Sequence, residues 1–301
     1  MKAVFTTKVE PTYDDLPEFR YHFPRTYLRV AESAIGDWII YYEPRRSSGD
    51  LSSRGGRQVY FATARVKDIR PDPTLADHFY AFMEDFLPFP RPVPFRDGAH
   101  YYETGLKRDD GGTNKGAFGR AVRPLPERDY ADILQAGMAR ILSPAFSPAD
   151  RDVLGTPGFA DEPATFERPV VERLVARPVR DAAFAAAVKG AYDDTCAVTG
   201  LRLINGGGRA EVQAAHIRAV ASQGPDSPRN GVALSSTVHW MFDRGLISAT
   251  DDHRLLVAEQ HVPESARRFF LPSGRLQVPR RRDLQPHPQF LDWHRRNVFK
   301  G

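Results

Sequence analysis

The chain has 301 residues, of which 41% are hydrophobic, and its formal net charge is +4. A chain of this length usually forms two domains, and this apolar fraction suffices for ordinary globular cores. No apolar stretch of 18 residues occurs, and the N-terminal segment lacks the apolar part of a secretory signal, so we expect no membrane span. The single cysteine, Cys196, excludes an internal disulfide and a multi-cysteine zinc site. These features favour a cytoplasmic protein.

The first part of the chain has the composition of a β-rich region. Two runs of β-branched and aromatic residues, Ile39–Tyr42 and Gln58–Val66, predict strands. The segment Arg45–Arg57 between them is rich in Ser, Gly and Arg, so the strands are predicted to form a hairpin with a long loop. Two interpretations of that loop stay open. Its arginines, Arg45 and Arg54 among them, could bind DNA phosphates, or the loop could be a disordered hairpin tip.

The following segments predict a helix and a domain boundary. Apolar side chains three and four residues apart predict a helix over Leu75–Phe86, with Thr74 as its N-cap. The prolines of Pro88–Pro94 would end it. Residues 121–170 are rich in proline and small residues, which indicates a boundary region with a short helix near Arg128–Leu142.

From residue 180 onward, helices and short strands are predicted to alternate. An alanine-rich helix with an acidic start covers Asp181–Tyr192, and a short strand covers Glu211–Ile217. A second helix, with Ser235 or Ser236 as its N-cap, extends to Arg244.

The C-terminal end predicts a hairpin, which joins Leu246–Ser248 to Arg254–Val257, and a last helix over Pro288–Phe299. Residues 251–301 contain ten Lys and Arg against six Asp and Glu. This excess suits a partner that carries phosphates, but a solvated basic face would show it as well.

Three polar segments of this region occur in a fixed order. The first is Gln213-Ala-Ala-His216-Ile, the second is Asn230-Gly-Val-Ala-Leu, and the third is His239-Trp-Met-Phe-Asp243-Arg-Gly-Leu-Ile. Together, over about residues 180–300, they resemble the HNH nuclease family, in the branch with this pattern. The resemblance implies a ββα-metal finger, with His216 on its first strand, Asn230 opening the second strand and His239 on the helix.

The chemistry of phosphodiester hydrolysis explains these residue types. A neutral imidazole can accept a proton from water near neutral pH, and the resemblance implies this general-base role for His216. It also implies that Asn230 holds the loop that orients the imidazole, and that His239 completes the catalytic set. His239 and Asp243 are four residues apart on the predicted helix, so both could bind one divalent ion: Mg²⁺ or Mn²⁺ first, with other divalent ions as alternatives.

One position departs from the family pattern. Many HNH sites have Asp or His immediately before the base histidine, and here that residue is Ala215. Gln213, on the same face of the predicted strand, is the candidate replacement as a metal ligand, directly or through a water molecule. The departure also leaves open a degenerate HNH fold without catalysis.

Three arginines near the motif are candidate DNA contacts. Arg244 follows Asp243 and either anchors a salt bridge or clamps a phosphate. Arg295 and Arg296 lie in the predicted last helix and could contact phosphates. Their neighbour His294 is interpreted as a structural or interfacial residue.

The N-terminal region carries a second resemblance. Gly36-Asp-Trp-Ile-Ile-Tyr-Tyr42, followed by Gln58–Val66, resembles the PUA-like superfamily, which includes EVE-, ASCH- and SRA-type domains. The resemblance implies a β-barrel that takes a flipped, modified cytosine into an aromatic-walled pocket. The candidate pocket residues, which could equally be barrel core, are Tyr21, His22, Phe23, Asp37, Trp38, Tyr41, Tyr42 and Phe61.

These predictions combine into one hypothesis. The fold class is α+β, with a PUA-like β-barrel that recognises the modified base at residues 1–145, a linker at 146–179 and an HNH ββα-metal domain at 180–301. The chain would be a modification-dependent endonuclease that acts on double-stranded DNA with modified cytosine. One HNH site cuts one strand, so we expect a homodimer. The alternatives are an HNH nuclease directed by sequence or by a protein partner, and a non-catalytic DNA-binding protein.

Overall fold

A computed structural model describes residues 1–11, 15–50, 52–142 and 177–301. The fold is α+β, and the chain divides into two compact units, Met1–Ala183 and Phe184–Gly301. The predicted linker at 146–179 lies almost entirely outside the described residues. Within the described ranges, no helix combines the length and the apolar character that crossing a membrane requires.

The first unit is built on a six-stranded sheet with the strand order β2-β5-β4-β3-β1-β8. Strand β1 pairs in parallel with β3, and the other neighbours are antiparallel. Shifts of register interrupt both the β3–β4 and the β4–β5 pairs, and such bulges increase the twist that curls a sheet. The strands are β1 (Ala3–Thr6), β2 (Arg20–Pro24), β3 (Trp38–Glu43), β4 (Val59–Pro71), β5 (His78–Pro94) and β8 (Val122–Pro124).

Shorter elements complete this unit. A two-stranded ribbon joins β6 (Arg96–Asp97) to β7 (His100–Tyr101). The helices are α1 (Leu28–Glu32), α2 (Lys115–Phe118) and α3 (Glu127–Leu142). The described side chains of α3 include Tyr130, Ile133 and Leu134, which pack into a hydrophobic core cluster with residues of the sheet. The predicted β3–β4 hairpin and the predicted helix near Arg128–Leu142 are confirmed.

The predicted helix over Leu75–Phe86 is wrong, because this segment belongs mainly to strand β5. Pairing with β2 on one side and β4 on the other outweighs the helical spacing of its apolar residues. The predicted stop at Pro88–Pro94 is also wrong, since β5 continues to Pro94. Strand β2 pairs only with residues 78–82 of β5, so the proline-containing end has a described partner strand on one side only. Prolines are tolerated there because they need not donate to a second strand.

The second unit contains the predicted order of two strands and a helix. Strands β9 (Gln213–His216) and β10 (Gly231–Leu234) pair antiparallel, with His216 opposite Gly231, and helix α5 (Ser236–Asp243) follows. A long helix, α4 (Arg177–Ala191), precedes them. The remaining elements are β11 (Ile247–Ala249) and β12 (Leu255–Val257), which pair, and helices α6 (Glu264–Arg267) and α7 (Pro288–Asn297). The predicted second hairpin and last helix are therefore confirmed.

Candidate active site

Asn230 holds the loop between β9 and β10. Its side chain is fully buried, and its oxygen accepts a hydrogen bond from the backbone N–H of Arg218 at 2.8 Å. Its side-chain nitrogen donates to the carbonyl oxygens of Arg218 at 2.9 Å and of Pro225 at 3.0 Å. Both ends of the loop are thus tied to the start of β10.

Two glycines allow this packing. A Cβ atom at Gly224 would lie 1.8 Å from the carbonyl oxygen of Arg218, inside the loop that Asn230 holds. A Cβ atom at Gly231 would lie 2.4 Å from a methyl group of Val188 and 3.1 Å from the ring of Phe184. The glycine after Asn230 therefore lets α4 approach β10 closely.

His216 is fixed by one aromatic and one acidic neighbour. Its ring stacks on Phe184, with the centroids 3.7 Å apart and the planes 10° apart. Its Nε2 atom lies 2.9 Å from Oδ1 of Asp226, which is fully buried. A carboxylate only accepts, so Nε2 carries the proton and Nδ1 keeps its lone pair. Nδ1 has no hydrogen bond to any residue that the structure describes. This arrangement holds one nitrogen of the imidazole and leaves the other open.

His239, on helix α5, is held at Nδ1, whereas His216 is held at Nε2. Its Nδ1 atom lies 2.7 Å from the side-chain oxygen of Gln213, whose side-chain nitrogen lies 3.3 Å from the hydroxyl of Ser236. The amide oxygen accepts, so Nδ1 carries the proton and the lone pair is on Nε2. Nε2 lies 3.4 Å from Oδ2 of Asp243, one helical turn away. Gln213 thus contacts the nitrogen of His239 that faces away from Asp243.

The pair His239 and Asp243 suits a divalent ion. Adjacent ligands of an octahedral ion at about 2.1 Å are roughly 3 Å apart, close to the separation of these two atoms. A metal-bound histidine usually donates its other ring N–H to a nearby oxygen atom, and the side-chain oxygen of Gln213 is placed to accept from Nδ1 of His239. The described residues contain no group of three or more His, Cys, Asp or Glu that could hold a metal ion. The chain would therefore supply two ligands, and water and substrate phosphate would fill the other positions, as Mg²⁺ often accepts.

Both ends of α5 are fixed by residues outside the helix. Ser235 occupies the N-cap position without a side-chain cap bond, and the Ser236 N–H donates to the carboxylate of Glu211 instead. At the other end, Nε2 of His294 lies 3.2 Å from the carbonyl oxygen of Phe242, and Nδ1 lies 2.9 Å from the hydroxyl of Ser248. Burial lowers the pKa of His294 to about 4, so it is neutral near neutral pH. Its contacts agree with the structural interpretation of this histidine.

The predicted DNA-binding arginines differ in how they are held. Arg295 donates to the carbonyl oxygen of Ala249 at 2.8 Å and pairs with Asp251 at 2.7 Å. Arg296 is exposed and pairs with Asp292 at 3.0 Å. Arg244 is exposed, and its side chain has no hydrogen bond or ion pair to any described residue.

The loop between β3 and β4 is tied together by hydrogen bonds. The Gly56 N–H donates to the Arg45 carbonyl at 3.1 Å, and the Ser47 hydroxyl donates to the Arg54 carbonyl at 2.9 Å. At its base, the side chain of Arg57 pairs with the buried carboxylate of Glu43. The side chains of Arg45 and Arg54 are exposed.

Most of the predicted pocket residues belong to the core of the first unit. Tyr41 and Tyr42 are fully buried, which agrees with the alternative that these residues are core. Tyr41 donates to the carbonyl oxygen of Pro17 at 3.0 Å, and its ring stacks on the half-buried Phe61. The other buried members of the set are Tyr21, His22, Phe23 and Trp38.

The two polar candidates are held by charged partners. Asp37 pairs with Lys2 and accepts the Trp38 backbone N–H at 2.8 Å. Burial alone would raise the pKa of Asp37, but these hydrogen bonds lower it below the usual value. Nε2 of His22 lies 2.9 Å from Asp72, and its ring stacks on Tyr80 at 4.4 Å.

Two groups of residues were missed from the sequence. Asp226 lies in the loop between β9 and β10, and nothing in its spacing indicated a contact with His216. Tyr80 and Phe82 lay in the wrongly predicted helix. They are half-buried, and the guanidinium groups of Arg20 and Arg70 lie over their rings at 5.7 and 5.3 Å. Alternation along a strand would have placed both rings on one face.

Comparisons with known proteins address the second unit most directly. Residues 196–249 match the family model described as HNH endonuclease. No curated protein matches the chain. Among solved structures, the modification dependent TagI restriction endonuclease is similar at 15% identity and a TM-score of 0.29, over 98% of this chain and 81% of that one.

Two further solved structures are similar at the same low level. The N-terminal domain of McrB from Staphylothermus marinus has 14% identity and a TM-score of 0.30, over 44% of this chain and 93% of that one. The Type IV phosphorothioation-dependent restriction endonuclease ScoMcrA has 16% identity and a TM-score of 0.20, over 80% of this chain and 52% of that one. TM-scores this low carry no functional conclusion. The family match does, and it shows that the chain carries an HNH endonuclease domain at residues 196–249.

Proposed function

We propose that this chain is a metal-dependent, modification-dependent DNA endonuclease, in which the second unit hydrolyses a phosphodiester and the first unit selects the target. The observation that carries the proposal is the complementary holding of two histidines in the HNH segment. His216 has Nε2 held by Asp226, and His239 has Nδ1 held by Gln213. These contacts leave Nδ1 of His216 for proton transfer and Nε2 of His239, which faces Asp243, for metal binding.

His216 is the proposed general base. Its open Nδ1 takes a proton from the attacking water, and the imidazolium that forms is stabilised by the carboxylate of Asp226 through Nε2–H. The stacked ring of Phe184 fixes the plane of the imidazole, and Asn230 fixes the loop that follows His216. Neither Phe184 nor Asn230 exchanges a proton in this scheme; both are positioning residues.

His239 and Asp243 are the proposed metal ligands. A divalent ion held there would stabilise the charge that develops on the phosphate and on the leaving oxygen. Gln213 and His216 are three residues apart on β9, so roughly 10 Å of strand separates the support of one histidine from the other.

The target-selecting role of the first unit rests on its sequence resemblance to PUA-like domains and on its partly exposed aromatic and basic side chains. We propose that modified cytosine in double-stranded DNA is its ligand. The buried aromatic residues leave little ring surface for a base, whereas Tyr80 and Phe82 combine partly exposed rings with Arg20 and Arg70. Aromatic and basic side chains in alternation are typical of nucleic-acid surfaces. Double-strand cleavage by single-site domains would then require a homodimer or two binding events.

The test is digestion of the same plasmid or phage DNA in unmodified, methylated, hydroxymethylated and glucosylated forms, with Mg²⁺ or Mn²⁺. Cleavage confined to one or more modified forms is expected. Equal cleavage of all forms would replace the modified-base proposal by a sequence- or partner-directed nuclease. No cleavage of any DNA with any divalent ion would leave the non-catalytic DNA-binding protein. His216→Ala should abolish cleavage, and His261→Ala, an exposed histidine outside the site, is the matched control.

A further inference from the structure

Trp240 is a large aromatic residue that the fold of the second unit leaves in solvent. It lies on helix α5 next to His239 and is 57% exposed. The buried face of α5 consists of Val238, Met241 and Phe242. The core therefore does not use the indole, and an apolar ring of this size is costly to leave in water.

The position of Trp240 on the helix relates it to the proposed site. Residues three and four apart are neighbours on a helix surface, so Trp240 lies beside Ser236, Asp243 and Arg244. The backbone N–H of Arg244 donates to the carbonyl of Trp240 at 3.2 Å, which makes the two residues the ends of one turn. The exposed indole thus borders the carboxylate proposed to hold the metal.

Arg244 gives the same surface a positive charge. Its side chain is exposed and has no ion pair with any residue in the described part of the chain. Other arginines of this unit are bound by neighbours, as Arg295 is by Asp251 and Arg275 by Asp252. A salt-bridge anchor needs an acidic partner, and no described residue provides one for Arg244. The second interpretation, a phosphate contact, is therefore favoured.

We propose that Trp240 and Arg244 grip the DNA strand beside the scissile phosphate. The indole packs on the base or sugar of a flanking nucleotide, and Arg244 pairs with a neighbouring phosphate. Every nucleotide has a flat ring and every linkage has a phosphate, so this grip needs no particular sequence. Its effect is to position the backbone against His216 and His239. The inference rests on the proposed nuclease function and adds a substrate-positioning pair to it.

The test measures binding separately from cleavage. The full chain carrying His216→Ala, which should bind DNA without cutting it, is titrated with a duplex taken from DNA that the wild-type chain cleaves. Trp240→Ala is compared with Phe269→Ala, because Phe269 is another exposed aromatic (68%) of the same unit. Arg244→Gln is compared with Arg268→Gln, another exposed arginine.

We expect Trp240→Ala to raise Kd by roughly 5- to 100-fold, as for the loss of one base stack. Arg244→Gln should reduce the slope of log K against log salt by about one phosphate contact. The two control variants should leave both quantities unchanged. A separate measurement follows the fluorescence of Trp240, which is obtained as the difference between the wild-type chain and its Trp240→Phe variant. Acrylamide should quench this signal less when DNA is bound.

Three results would overturn the inference. If the wild-type chain cuts DNA while the Trp240 variant binds with unchanged Kd and the indole stays accessible, the grip is wrong but the nuclease stands. If Phe269→Ala weakens binding as much as Trp240→Ala, the effect belongs to exposed aromatics in general. If the wild-type chain neither binds nor cuts any DNA, both the inference and the proposed function fail.

Discussion

The two units differ in how they hold the residues that the sequence singles out. In the second unit each motif histidine is held at one nitrogen, His216 by Asp226 and His239 by Gln213, while the other nitrogen is free of hydrogen bonds to described residues in His216 and faces Asp243 in His239. In the first unit most of the singled-out aromatics, such as Tyr41 and Tyr42, are fully enclosed. A polar side chain held at one atom is prepared for chemistry, whereas an enclosed ring contributes mainly to packing.

The difference has a physical origin. Burying an imidazole costs free energy unless its nitrogens have hydrogen-bond partners. A histidine with one nitrogen hydrogen-bonded and the other open therefore indicates a functional role. Burying a tyrosine or phenylalanine ring is favourable in itself, so aromatic enrichment in a sheet does not distinguish a pocket from a core. The predictions below test this contrast, with the largest expected effect first.

Replacing Asp226 by Asn should have the largest effect, which is on the rate of DNA cleavage by the second unit. The amide can donate to Nε2, which would move the proton to Nδ1 and remove the lone pair that faces the proposed water. We expect the rate of DNA cleavage to fall by about 10²–10⁴-fold, the range of a general base. Single-turnover cleavage of a DNA that the wild-type chain cuts measures this. DNA affinity is the control quantity and should stay the same; an unchanged cleavage rate would remove Asp226 and the Nδ1 assignment from the mechanism.

The second unit could be predicted from the sequence because its information is local and ordered. The ββα order, the helix that carries His239 and Asp243, and the glycine beside Asn230 all follow from spacing and residue type. The contact between His216 and Asp226 could not be predicted, because Asp226 lies in a loop of irregular backbone. In the first unit β5 was mistaken for a helix. Its apolar spacing suits a helix, and only the pairing with β2 and β4, which is remote in sequence, decides for a strand.

Two tyrosines of the first unit should separate packing from recognition. Tyr41→Ala removes a fully buried ring and should lower the free energy of unfolding by about 3–5 kcal/mol. Tyr80→Ala removes a half-buried ring beside Phe82 on β5 and should cost about 1 kcal/mol, while weakening discrimination between modified and unmodified DNA. Urea unfolding and paired DNA titrations measure the two effects. If Tyr80→Ala leaves discrimination intact, the surface of Tyr80 and Phe82 is not the recognition surface.

His294 should make the stability of the second unit depend on pH. Its pKa is about 4 in the folded chain and 6.5 for the unperturbed group. Between these values the unfolded chain binds a proton that the folded chain does not, so stability falls as the pH drops from 6.5 to 4 and levels off below. The difference amounts to roughly 3 kcal/mol. Urea unfolding of His294→Leu against the wild type, across this range, should show the total loss of stability between pH 6.5 and 4 reduced by that amount; equal losses would mean that His294 is not held neutral.

The smallest expected effect distinguishes two neighbouring arginines of α7. Arg296 is exposed and paired with Asp292 one turn earlier, so Arg296→Ala should cost at most about 0.5 kcal/mol of stability. Arg295 bonds a backbone carbonyl and Asp251, so Arg295→Ala should cost about 1–2 kcal/mol. Any loss of DNA affinity in Arg296→Ala can therefore be attributed to a DNA contact, because the fold is nearly unchanged. The same loss in Arg295→Ala cannot, since the contact of α7 with β11 and with Asp251 is then loosened as well. Thermal unfolding and DNA titration of the two variants, side by side, separate an anchor from a phosphate contact.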